Sequence, residues 1–108
     1  MTMEFQAHIY YDQTCRDQAL KLQDALQHHF GHVARVDHLV DKQVGPHLWP
    51  SFEVAFHEDV YAPLTGFLES YHGPLPVLVH PVTADELANY SHLAEWIGQE
   101  LPLDWSQL

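Results

Sequence analysis

The stretch Phe5-Gln6-Ala7-His8-Ile9-Tyr10-Tyr11 alternates without a break. Successive side chains of an extended chain point to opposite faces of a sheet. Phe5, Ala7, Ile9 and Tyr11 therefore share one face of a strand, and Gln6, His8 and Tyr10 share the other. The apolar set suits a helix-covered core, which turns an imidazole and a phenol to the opposite side.

The remaining elements follow from periodicity and punctuation. Thr14 as cap, Asp17 three residues on, and Cys15, Ala19, Leu22, Leu26 and Phe30 at helical spacing predict a helix that ends at Gly31. Val33 to Asp37 reads as a second strand. Residues 38–50 hold Gly45-Pro46 and Pro50 without a sustained period, a loop long enough to suggest a role of its own. Phe52, Val54 and Phe56 alternate as a third strand. A second helix is predicted from about Asp59 to Tyr71, with Val60, Leu64, Phe67, Leu68 and Tyr71 on its buried stripe and His72-Gly73-Pro74 ending it. Leu75 to His80 is a fourth strand, closed by Pro81. A capping box from Thr83 to Glu86 opens a third helix, with Leu87, Tyr90, Ala94 and Ile97 as its apolar face and Gly98 at its end. Leu101, Leu103 and Trp105 then lie back across the body or against a partner.

The order β-α-β-β-α-β-α predicts an α+β protein. Its first six elements match the ferredoxin-like βαββαβ arrangement, a four-stranded antiparallel sheet with helices on one face. The other face is open for a ligand, a cofactor or a second subunit. An additional C-terminal helix completes the reading.

Composition narrows the function classes. The 108 residues suffice for one domain, residues 1–108, and are too few for two. With 46% hydrophobic and 12% aromatic residues the chain can build a core. Its 15 acidic against 4 basic residues, a net charge of -11, disfavour nucleic acids and anionic membranes, which require Lys and Arg. No signal peptide is recognisable, and no apolar run approaches the roughly 20 residues of a membrane span. A lone Cys15 forms no internal disulfide; it sits on the first helix's apolar stripe as a small hydrophobe. The expectation is a cytoplasmic protein held together by packing.

Against this background the 10 histidines stand out, since imidazole is the commonest metal ligand and titrates near neutrality. In the ferredoxin-like order the first and last strands are antiparallel neighbours. His80, at the end of the last, then falls within reach of His8. His47 follows the stiff bend Val44-Gly45-Pro46. It precedes the third strand, so its loop must fold across the sheet for all three to converge. Three imidazoles would hold Fe²⁺ or Zn²⁺ and leave positions for water and substrate. None of them lies at a short local interval such as H-x-x-x-H. The competing reading is a polar sheet face, solvated or buried in a homodimer.

His8-Ile9-Tyr10-Tyr11-Asp12, the Thr14…Arg16 helix start, Val44-Gly45-Pro46-His47, Val77-Leu78-Val79-His80-Pro81 and Ala94-Glu95-Trp96-Ile97-Gly98 together resemble the DOPA 4,5-dioxygenase family. The resemblance runs from about residue 5 to 103. It implies a ferredoxin-like fold, extradiol cleavage of DOPA or a related catechol by dioxygen, and a non-haem iron held by His8, His47 and His80. Members typically read Asp-His at Asn89-Tyr90, Gly-Asp-Asp at Ala84-Asp85-Glu86, and Pro at Leu48. Tyr90 offers a hydrogen bond or, less commonly, a metal-binding oxygen in place of that imidazole.

Around such a centre Tyr10 would orient the substrate or simply pack. His92 would accept the second catechol proton or be a solvated helix residue. Arg16 would pair with a substrate carboxylate or with Asp12 or Asp17 on its own helix. Trp49 would line an aromatic pocket with Trp96 and Trp105, although Trp96 also suits the core. Two other classes compete: a dimeric ferredoxin-like binding domain without catalysis, and a histidine-rich zinc-binding or pH-responsive module.

Overall fold

The computed structural model describes residues 3–108. Its strands are β1 (Glu4–Tyr10), β2 (Ala34–Val36), β3 (Ser51–His57), β4 (Val77–Pro81) and β5 (Glu95–Ile97). Its helices are α1 (Arg16–Phe30), α2 (Tyr61–Tyr71) and α3 (Glu86–Tyr90). The strands form one sheet in the order β2-β3-β1-β4-β5, every neighbouring pair antiparallel. The first four strands and two helices have the expected ferredoxin-like connectivity, and the sheet has one strand more than the reading foresaw.

The alternation of β1 explains why it lies at the centre. Ala7, Ile9 and Tyr11 are buried with Ala19, Leu22 and Leu26 of α1 and Leu64 and Leu68 of α2, while Phe52, Val54 and Phe56 of β3 extend the same layer. Removing this contiguous apolar surface from water is the main force holding the helices to the sheet.

Two helix starts differ from expectation. Asp12, not Thr14, is the first cap: its carboxylate accepts from the backbone N–H of Thr14 and Cys15 over a single 3-10 turn, Gln13–Cys15. Asp85, not Thr83, caps α3 by accepting from Ala88 N at 3.1 Å. In both places a carboxylate takes the capping role in place of a nearby hydroxyl, two residues before Thr14 at the first start and two after Thr83 at the second. Tyr71 of α2 is 65% exposed, outside the stripe assigned to it.

The third helix is the larger correction. It stops at Tyr90, Ser91 leaves helical geometry at φ -115° and ψ -103°, and the chain returns as β5. Val77 then faces Ile97, Leu78 faces Trp96 and Val79 faces Glu95. Glu95-Trp96-Ile97 alternates as readily as it repeats at helical spacing. The unpaired backbone groups along the edge of β4 decide between the two, because pairing satisfies them. Leu87 is consequently 57% exposed.

The sheet face opposite α1 and α2 is not left open. Tyr10, Leu78, Leu101 and Leu103 form a second buried cluster, with Trp49, Tyr90, Ala94 and Trp96 packed against it. The 38–50 loop and the C-terminal segment thus roof that face. They are tied together by Asp104 N donating to Pro46 O at 2.8 Å and by a bridge between His47 and Leu103. Trp105 itself is half exposed. Among the described residues no helix is long and apolar enough to cross a membrane.

These placements predict opposite outcomes for two leucines of similar chemistry. Leu26→Ala, at a fully buried position, should lower unfolding free energy by about 2–5 kcal/mol. Leu87→Ala should stay within about 0.5 kcal/mol of the parent. Urea unfolding followed by circular dichroism reads both; a large loss at Leu87 would mean that the helix continues past Tyr90.

Candidate metal centre and active-site cavity

His8 stands on β1 opposite Glu53 of β3 and Leu78 of β4, with His80 one diagonal step away across from Gln6. Diagonal neighbours on a sheet lie within reach of aromatic side chains. His8 Nε2 and His80 Nε2 are 2.9 Å apart, with rings nearly parallel and centroids at 5.0 Å. Both residues are buried. His80 Nδ1 meets the carbonyl of Pro81 at 2.8 Å. A carbonyl only accepts, so Nδ1 carries the proton and Nε2 presents a lone pair. His8 Nε2–H donates to it.

His47 reaches this pair from the roof. Its N–H donates to Val44 O at 3.0 Å, closing a turn in which Gly45 sits at φ +56°, a left-handed conformation that glycine adopts without penalty. The His47 ring lies 4.2 Å from that of His8, centroid to centroid, and its Nδ1 is 2.6 Å from the Tyr10 hydroxyl. The loop therefore folds across the sheet as convergence requires. Tyr10 is itself buried and stacks on Trp96 of β5.

Tyr90 closes the group. Its ring lies 4.4 Å from His80, 5.7 Å from His47 and 6.0 Å from His8. Buried Asn89 sets its direction: the Asn89 amide donates to Thr83 O at 3.2 Å, and the Thr83 hydroxyl donates back to Asn89 Oδ1 at 2.5 Å. That clamp holds the short α3 against the end of β4.

Burial dominates the electrostatics. It holds His8 well below the usual imidazole range, with the neighbouring His47 and His80 adding to the effect. It lowers His47 to about 4, again with a contribution from His80, and it lowers His80 as well. Desolvation penalises the charged form, and adjoining imidazoles cannot all be cationic. The Tyr90 phenol is pushed up to about 12 by burial and then by Glu53 and Glu86, and the Tyr10 phenol is raised further still by burial. At neutral pH the centre thus consists of neutral imidazoles and protonated phenols.

A cavity of about 310 Å³, at the low end of the range for small-ligand sites, opens against part of this group; His80 and Tyr10 lie behind it and are not in its lining. His8, His47, Tyr90, Glu53, Asp37 and His38 are among its lining. The last three were not foreseen. Glu53 alternates out of phase with Phe52, Val54 and Phe56, which put it on the face of His8, but only the β1–β3 register shows that it stands directly opposite. Three of the candidates lie elsewhere. Arg16 is held by Asp41 through two bonds of 2.9 Å, in a separate depression with Tyr11 and Pro50. His92 is exposed on the turn after α3 and does not line the cavity. Trp49 packs in the second cluster.

The donor set suits a divalent metal in part. Two nitrogens each about 2.1 Å from one ion at a right angle stand about 3.0 Å apart, close to the His8–His80 separation. The Pro81 carbonyl supplies the outer hydrogen bond that metal-binding histidines habitually make. His47 offers Nε2 in the tautomer whose Nδ1–H donates to Tyr10. Among the described residues no three His, Cys, Asp or Glu side chains form a ready-made metal cage. The separation of His8 and His80 is compatible with one shared ion in place of their hydrogen bond, and His47 is adjacent without completing the set.

The fold and this cavity define an α+β protein whose sheet carries a buried histidine cluster under a roof of its own chain. The chain belongs to the Dopa 4,5-dioxygenase family, whose model matches residues 5–107. It is 32% identical to the DOPA 4,5-dioxygenase of Amanita muscaria over 97% of this chain and 49% of that protein. It is also 32% identical to an uncharacterised 21.2 kDa protein of Botryotinia fuckeliana, over 94% of this chain and 61% of that one. The chain thus spans about half to three fifths of the length of these relatives. A crystal structure from Nostoc punctiforme, of a protein assigned only provisionally as a dioxygenase, superposes with a TM-score of 0.86 at 29% identity, covering 94% of this chain and 87% of that one.

The lowered histidines predict how acid acts on the metal-free protein. Between about pH 6.5 and 4 unfolded histidines bind protons that His8 and His47 in the folded state do not, so stability rises with pH across that window and is lost as pH falls through it. The unfolding free energy of chelator-treated protein, read from urea titrations, should drop on acidification from about pH 6.5 towards 4, by up to about 1.4 kcal/mol per pH unit for each histidine. The slope should shrink in His47→Gln. A flat profile over this window would show that the imidazoles are not buried.

Proposed function

We propose that the protein is a ring-cleaving dioxygenase of catechols, with a non-haem divalent metal, iron(II), held by His8, His80 and His47. The observation that carries the reading is the 2.9 Å approach of buried His80 to His8, which lines the cavity, with His47 against them. Membership of the Dopa 4,5-dioxygenase family supports the choice of reaction.

When bound, such an ion supplies a common site for the two catechol oxygens and for dioxygen, and it lowers the pKa of the diol. The chain's own groups do the rest. The roof formed by the 38–50 loop and the C-terminal segment keeps bulk water from the diol. Tyr90 Oη, protonated at neutral pH, donates a hydrogen bond to an oxygen of the bound diol. Tyr10 Oη holds the His47 ring through Nδ1 and so orients it. Overall, the carbon–carbon bond beside the diol breaks and both atoms of dioxygen enter the product.

The test is oxygen uptake. Protein reconstituted anaerobically with Fe²⁺ and supplied with DOPA or catechol should consume oxygen and form a coloured ring-opened product on admission of air. His8→Ala and His80→Ala should abolish uptake and stoichiometric iron binding. His92→Ala should retain both, since that side chain is exposed outside the cavity. Absence of both oxygen uptake and stoichiometric iron binding in the unaltered protein would sink the reading.

A further inference from the structure

One wall of the cavity carries charge that ring cleavage itself does not use. Glu53 faces His8 across the β1–β3 ladder and lines the same cavity as His8, His47 and Tyr90. Its carboxylate is only 26% exposed, and its Oε2 is bonded to Arg35 Nη2 at 3.0 Å. Arg35 is shared, because its Nε bonds Asp37 at 3.1 Å, and Asp37 lines the cavity too. Two carboxylates thus divide one guanidinium, and a net negative charge remains on the wall.

Among the described residues no side-chain cation besides Arg35 offsets it. The chain has four basic residues, and none of them lines this cavity. Arg16 is bonded to Asp41 elsewhere, Lys21 lies in the groove between α1 and α2, and Lys42 is exposed on the roof loop. A substrate tail entering here meets carboxylate oxygen and neutral imidazole, with no fork to receive a carboxylate. The charge of a cation at the histidines would be met by the two ring oxygens, which leaves the tail to this wall.

We propose that Glu53 determines the charge of the substrate's side chain, so that the site takes catechols with an ammonium-tipped tail in preference to those with a carboxylate. This rests on the catechol reading above and specifies its substrate class. An amino-acid catechol such as DOPA presents both groups: its ammonium finds Glu53 and its carboxylate finds no partner. It therefore ranks between the amine and the acid.

Dopamine and dihydroxyphenylacetate share the ring and differ in the charge of the tail, which makes them the test. Anaerobic calorimetric titration of the iron-loaded protein should give dopamine the tighter binding by on the order of tenfold, the scale of one hydrogen bond to a charged group. Glu53→Gln should bring the two towards parity. The same narrowing is expected in the unaltered protein when salt rises from about 0.01 M to 1 M, which shortens the screening length from about 30 Å to 3 Å; this arm does not depend on the variant folding. Equal affinities, tighter binding of the acid, or a preference indifferent to both Glu53→Gln and salt would overturn the proposal. Admission of oxygen separates the two readings. Dopamine selectivity without oxygen uptake overturns ring cleavage and supports charge selection, whereas uptake without selectivity overturns charge selection alone.

Discussion

Two imidazole nitrogens, His8 Nε2 and His80 Nε2, face each other across 2.9 Å in a place water scarcely reaches. Such a contact holds only if the rings stay neutral and one nitrogen offers a lone pair, because two buried cations at that distance would repel strongly. The Pro81 carbonyl meets the second condition by accepting a hydrogen bond from Nδ1–H of His80, which leaves Nε2 with its lone pair. Burial meets the first. Everything else in the cavity is arranged around these two rings: His47 against His8, Tyr90 against His80, and Tyr10 bonded to His47.

The contact in turn depends on β1 being the central strand. With β3 on one side and β4 on the other, the polar face of β1 meets Glu53 and Leu78 across His8, with His80 on the diagonal. An edge strand would have left His8 in water and its pKa near the ordinary value. The roof has the same dependence. Tyr10 and Leu78 form an apolar floor on which Leu101, Leu103 and Trp49 pack. The face that ferredoxin-like proteins leave for a ligand or a second copy is therefore partly covered from within, and the cavity is what the cover leaves open.

The Asn89-Tyr90 pair, where the family resemblance implies Asp-His, acquires a physical meaning in this setting. Asn89 is a buried clamp on Thr83, a role its neutral amide fills with one donor and one acceptor. Tyr90 presents a phenol to the three imidazoles. A phenol that remains protonated at neutral pH is a hydrogen-bond donor and not a base, so the departure alters which proton transfers the cavity can assist.

The elements with long, clean periodicity were legible from the chain alone. The alternation of residues 5–11 placed His8 and Tyr10 on one face, the Ala19-Leu22-Leu26 stripe set α1, and the element order implied the β1–β4 neighbourhood that brings His80 to His8. The third helix expected up to Gly98 exists only over Glu86–Tyr90, because Glu95-Trp96-Ile97 fits helix and strand equally well over three positions and the free edge of β4 settles the choice. The same limit applied to the cavity wall. Local pattern determines which way a side chain points, so the histidine face was visible in advance. It does not determine which residue stands opposite, so Glu53, Asp37 and the diversion of Arg16 to Asp41 emerged only from register and from the path of the 38–50 loop, which depend on contacts far apart in the chain.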